Sequence, residues 1–180
     1  MKMTEDEEIA EILQSIEQEA LVVPVTRAIL IREQKDLFQY WTDLRGRHFA
    51  PRWDAFEFDK APPRLVPHFA AVEVRRDPLD FVFVHWGPGR VKMQRVDYTG
   101  KSLREFWPEN IARKAIRENC EVLARRTPLC IQPIKLKGEG ADTFDYQLMR
   151  LPFSDDGAEI THILTSGLYD EDEIGKAFEF

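Results

Sequence analysis

The sequence predicts an α+β domain with a five-stranded antiparallel sheet, and three observations predict it. The apolar period changes along the chain: helical spacing before residue 46, strand-like runs at 70–76 and 80–86, helical spacing at 108–126, and strand-like runs after 129. The strands thus fall into a group of two and a group of three, split by a long helix, which alternating βαβ units would not give. Turn formers divide the strands within each group, Asp77-Pro78 in the first and Gly138-Glu139-Gly140 and Asp155-Asp156-Gly157 in the second.

Length and composition narrow the classes. A chain of 180 residues is one domain with room for an arm, and at that size about 70% of the unfolded surface can be buried without metal or disulfide staples. With 43% hydrophobic and 32% charged residues it is too apolar for a disordered chain. Its longest apolar runs, such as Phe81 to Val84 and Ala28 to Ile31, fall far short of the ~20 residues a bilayer needs. The acidic opening Thr4-Glu5-Asp6-Glu7-Glu8 lacks a signal-peptide core. Two cysteines, Cys120 and Cys130, make no disulfide framework, so a reduced, cytoplasmic setting is expected. A net charge of -7 argues against bulk nucleic-acid affinity.

Taken in order, the elements begin with a capping box, Thr4 with Glu7, ahead of Ile9, Ile12, Leu13, Ile16 and Ala20 at helical spacing. This predicts an amphipathic helix over 4–21 whose stripe must dock on the body of the protein or on a partner. Thr26 is placed to cap a second helix with stripe Leu30, Leu37, Trp41 and Leu44, and Gly46 to stop it. For 21–31, periodicity alone does not choose between helix and a short strand. Pro51, Pro62, Pro63 and Pro67 forbid a long helix or central strand, so 47–68 wraps around the core. The strand at 80–86 is apolar at both parities and so is covered on both faces, with the N-terminal helices as the second cover. On the long helix, Ala112, Ala115, Ile116, Asn119, Cys120 and Leu123 form the inner stripe, and Lys114–Glu118 and Glu121–Arg125 pair outside. Strands at 129–137, 144–153 and 160–169 close the fold before an acidic tail at 170–180.

This order resembles a PAS domain, a sensory fold with a five-stranded antiparallel sheet and helices across one face. Val96-Asp97-Tyr98-Thr99-Gly100-Lys101-Ser102-Leu103 is similar to the turn between its short helices, and Tyr146 to Phe153 with Ile160 to Ile163 is similar to its last hairpin. More specifically, Tyr40-Trp41-Thr42-Asp43-Leu44-Arg45-Gly46-Arg47 followed by Pro51-Arg52-Trp53-Asp54 resembles a proteobacterial family of small stand-alone PAS-like proteins with a YWxxLRGxRxxPxRxD signature. The resemblance divides the chain into an arm at 1–35, a PAS-like domain at 36–169 and the tail. It implies a bacterial sensory or interaction module, and it tilts the stripe Ile9, Ile12, Leu13 and Ile16 towards a homodimer interface, since PAS domains commonly pair through flanking helices.

Candidate chemistry is sparse. Gly100-Lys101-Ser102 is a turn, because the glycine a phosphate loop needs five positions earlier is Arg95. Asn119-Cys120-Glu121-Val122-Leu123 is similar to the flavin-adduct motif of photosensory PAS proteins but lies on the wrong helix, so Cys120 reads as a buried small hydrophobe. The long helix carries no haem histidine, and His48, His68, His85 and His162 form no zinc pattern with the cysteines. No cofactor and no metal are expected. Arg45, Arg47, His48 and Arg52 beside Trp41 and Trp53 read as a loop clamp that uses carbonyls and carboxylates, with Asp43 and Asp54 near, rather than as a nucleic-acid site. No nucleophile elbow or catalytic carboxylate pair is present. The expectation is a non-catalytic sensory module that binds an unidentified small molecule and an unknown signalling protein. Its pocket would be walled by Phe106, Trp107, Ile116 and Cys120 against a strand carrying Phe83 and His85. The rivals are an enzyme or carrier on a cone-like α+β fold, in which no long helix splits the strands, and a nucleic-acid-binding regulator.

Overall fold

Thr4 opens the first helix, α1 (Glu5–Ser15), with the expected reciprocal cap: its hydroxyl accepts from the Glu7 amide, and the Glu7 carboxylate accepts from the Thr4 amide. The computed structural model describes residues 2–18, 22–30, 32–131 and 147–168. The helix ends at Ser15, short of Leu21, because Ile16 is extended and Arg117 Nη1 donates to the Leu13 carbonyl at 2.9 Å. That contact satisfies one of the carbonyls every helix leaves orphaned at its end.

The run after residue 21 is a strand, β1 (Val22–Pro24), paired with β4 (Leu129–Ile131). Pro24 is tolerated there because β1 is the outermost strand, where a missing N–H breaks no ladder. Drawing 22–24 into the sheet delays the second helix, so α2 runs Gln34–Arg45 instead of starting at Thr26. Gln34 anchors its first turn. Its fully buried amide donates to the Gln147 and Ser166 carbonyls, and the Ser166 hydroxyl donates to Gln34 Oε1. Gly46 ends α2 at φ +53°, a conformation that suits glycine.

The remaining strands are β2 (Ala70–Arg75), β3 (Asp80–Trp86), β5 (Gln147–Phe153) and β6 (His162–Leu168), between which lie α3 (Pro88–Gln94) and α4 (Glu109–Arg125). All neighbours are antiparallel, in the order β1-β4-β5-β6-β2-β3. The fold is therefore α+β, with β1 added to the five strands expected. A long helix separates β2 and β3 from β4, β5 and β6, which is the feature a cone-like sheet lacks. The turn at Asp155-Asp156-Gly157 forms as expected, with Asp156 Oδ1 accepting from the Ala158 and Glu159 amides and Gly157 at φ +75°. The Gly138-Glu139-Gly140 turn and the 170–180 tail lie outside the described residues.

The N-terminal helices divide between the faces. α2 and the proline-rich segment cover one face, burying Leu37, Trp41, Phe56 and Phe69 against Cys130, Leu151, Phe153 and Leu164. α1 lies beside α4 on the other face, where Ile9 is buried and Ile12 and Leu13 pack on the same cluster. The stripe read as a dimer surface thus has a docking place within its own chain.

Residues between 40 and 54 help build the first of these faces. Trp41 Nε1 donates to the Pro152 carbonyl at 2.9 Å, and the Tyr40 hydroxyl accepts from the Glu57 amide. Arg45 donates to the His48 carbonyl, with its guanidinium 5.6 Å from the Trp41 ring. Arg52 holds Asp54 through two N–H groups and reaches the Asp155 carbonyl, while the Pro51 carbonyl accepts from Ser154. These arginines clamp the loop, as expected.

Candidate functional site: a cavity beneath the long helix

The site begins with a bulge in β3. Val72 pairs with Phe83 and Ala71 with His85, so Val84 is the extra residue and is left 37% exposed. An inserted residue reverses the alternation of faces beyond it. Phe83 and Trp86 consequently share the α4 face, with ring centroids 4.9 Å apart. His85 goes to the opposite face, against Phe58 at 4.6 Å. The pocket role expected for His85 is corrected on this ground.

Beyond the bulge the chain turns tightly into α3. A Cβ on Gly87 would stand 2.2 Å from the Pro67 carbonyl oxygen, and one on Gly89 would meet the His68 ring at 2.5 Å. Only glycines let α3 seat this closely. The other side of β3 is met by the Gly-Lys-Ser turn: Phe83 donates to the Lys101 carbonyl, Gly100 donates to the Phe83 carbonyl, and Ser102 bridges Val82.

Between α3, α4 and the sheet lies a cavity of about 140 Å³. Its apolar wall comes from Ala70, Val72 and Phe83 below and from Leu103, Phe106, Ile111 and Ala115 above. The α4 row Ile111, Ala115 and Asn119 is spaced i, i+4, i+8 and so lies on one face. Polar groups enter from Arg90 and Gln94 on α3, Trp86 on β3, Asn119, Arg150 and Thr165.

Arg150 is 5% exposed and fully engaged. Its Nε donates to Glu118 at 2.9 Å and its Nη1 donates to Asn119 Oδ1 and Thr165 Oγ1. Glu118, expected on the outside of the helix, is buried and holds Arg150, because α4 is sandwiched between α1 and the sheet. Glu121 does pair with Arg125, at 2.8 Å, but it too is buried and not on the outside. Two side chains that line the cavity each carry a buried polar atom without a hydrogen-bond partner among the described residues, Trp86 Nε1 and Gln94 Oε1.

Of the expected wall, Phe83 and Phe106 line the cavity. Trp107 does not: it is 53% exposed, since Phe106 takes the inward position and its successor points away. Ile116 and Cys120 are buried in the same core cluster but on the α4 row next to the one that borders the cavity. Burial pushes the Cys120 thiol up to about 12, far from the thiolate a reactive cysteine needs. Sequence reasoning missed Trp86, Arg90, Gln94 and Arg150. For Arg150 a signal existed, a lone charge inside the apolar run Leu148-Met149-Arg150-Leu151. No group of three or more His, Cys, Asp or Glu among the described residues is placed to hold a metal ion, and no described helix is long and apolar enough to cross a membrane.

No family model and no curated protein matches the chain. Among solved structures it is similar to an RNA-binding light-oxygen-voltage receptor, at 16% identity and a TM-score of 0.44 over 90% of this chain and 41% of that one. It is also similar to a light-oxygen-voltage domain described with a flavin analogue, at 19% identity and a TM-score of 0.35 over 61% of this chain and 82% of that one. The chain thus spans 41% of the length of the first of these.

Proposed function

We propose that this chain is a non-catalytic PAS-like sensory module of the stand-alone family its signature resembles, in which a small molecule in the cavity sets how α1 packs on α4. The observation that carries the reading is the cavity itself: a mostly apolar hole lined in part by polar side chains and bounded by the helix on which α1 rests. Packed interiors leave few voids larger than a water molecule. Coupling to α1 is short. Asn119 borders the cavity, and two residues earlier on the same helix Arg117 donates to the Leu13 carbonyl and to Gln18. A ligand that favours one position of α4 shifts the population in which Ile9, Ile12 and Leu13 stay docked. Released, that stripe is available to a second copy of the chain or to a signalling protein.

Native mass spectrometry of the purified full chain tests this. The expected result is a small bound mass together with an oligomeric state that depends on its occupancy. A bare monomer whose α1 hydrogen exchange is unchanged in an Ala70→Leu variant, which fills the cavity, would overturn it.

A further inference from the structure

Resting on that reading of the cavity, we infer that its ligand is a small monocarboxylate with an apolar, ring-sized body. Size sets the first limit, since a cavity of roughly 150 Å³ accommodates benzene. The wall of Val72, Phe83, Leu103, Phe106 and Ile111 suits such a body.

Charge sets the second. No acidic side chain lines the cavity, although the whole chain carries a net charge of -7. Of its two cations, Arg150 is neutralised by Glu118. Arg90 is not neutralised: its Nε donates to the His68 carbonyl and its guanidinium lies 5.0 Å from the Trp86 ring, with no carboxylate partner among the described residues. An uncompensated cation therefore stands beside an unpaired, buried indole N–H.

One carboxylate answers both. One oxygen's charge meets Arg90 in a charge-assisted contact, stronger than a neutral hydrogen bond. A small turn of the Trp86 indole, whose N–H has almost no exposed surface, brings that N–H to the same oxygen. The Gln94 amide, turned over, presents its NH₂ to the second oxygen. A neutral alcohol satisfies the indole but leaves Arg90 as it is, an amine is repelled, and for a second carboxylate the other lining cation, Arg150, is already neutralised by Glu118.

Ligand-detected NMR of the full chain at pH 7 with benzoate and with benzyl alcohol tests the assignment. Benzoate is expected to bind at least tenfold more tightly. Arg90→Gln removes that preference, Arg90→Lys retains most of it, and Trp86→Phe weakens benzoate severalfold while circular dichroism melting stays near wild type. Ala115→Phe, which fills the hole, abolishes binding of both probes. Equal affinity for both probes, sensitive to Ala115→Phe, overturns the carboxylate while the pocket stands. Binding of neither probe, or binding indifferent to Ala115→Phe, counts against the pocket itself and the inference with it.

Discussion

On the α2 side of the sheet, aromatic rings interlock: Trp53 and Phe56 meet Phe153 edge-on at 5.1 and 5.4 Å, and Tyr40 tilts onto Phe56 at 5.2 Å. On the α4 side, Phe83, Trp86, Tyr98 and Phe106 also form a ring cluster, yet it stops at the edge of a hole that is bordered by Arg150, one partner of a buried ion pair. The same strands serve both faces. The dense face is closed by the segment that contains Tyr40, Trp53 and Phe56, whereas the other keeps an open space. The contrast between them yields graded expectations.

The largest effect is expected from core truncations that compare the two. Leu151→Ala, on the dense face, is expected at the upper end of the usual range, about 4–5 kcal/mol, and Leu103→Ala, beside the hole, at about 2–3 kcal/mol. Urea unfolding measures both, and equal losses would erase the distinction. Next comes the ion pair. Arg150→Met strands a buried Glu118 and is expected to cost about 3–5 kcal/mol, whereas Arg150→Met with Glu118→Leu recovers most of that loss. Recovery in the double variant by thermal unfolding is the deciding observation.

Smaller and sharper is the pair Ala70 and Ala71, neighbours on β2 that face opposite sides. Ala71→Leu overpacks a closed core and is expected to cost about 1–3 kcal/mol, while Ala70→Leu enters open space and costs less. The smallest effect is in pH. Burial pushes the imidazoles of His85 and His162 below the ordinary histidine value, and both belong to the dense face, against Phe58 and Trp53. Their neutral forms are favoured only in the fold, so the unfolded chain binds more protons near pH 6.5. Stability is fully present above that value and declines as pH falls through it towards the depressed folded values. A double variant, His85→Phe with His162→Phe, is expected to flatten urea midpoints between pH 7.5 and 5.5.

What was legible in the sequence follows from where the determinants are local. The capping box at Thr4, the stop at Gly46, the extent of α4 and the placement of β2 and β3 depend on residues a few positions apart, and they are found as expected. The end of α1 and the start of α2 depend on Arg117, Gln147 and Ser166, distant in sequence, and were not legible. The site was half legible for one reason above all. Alternation assigns Phe83 and His85 to one face, and a single bulged residue, Val84, sends His85 across and brings Trp86 in. Phe106 was found because apolar burial is a local preference; Arg90 and Gln94 were not, because exposed-looking residues on a short helix carry no periodic mark.

The Gly100–Ser102 segment has a consequence for how this protein meets others. By bonding to the free side of β3 it occupies the N–H and C=O of Phe83 at the middle of that edge, and at the far rim β1 is three residues long and carries a proline. Sheets with exposed rims recruit peptides, and sometimes one another, by strand addition. Here both rims are blunted, so association through the sheet is disfavoured in both its useful and its aggregating forms.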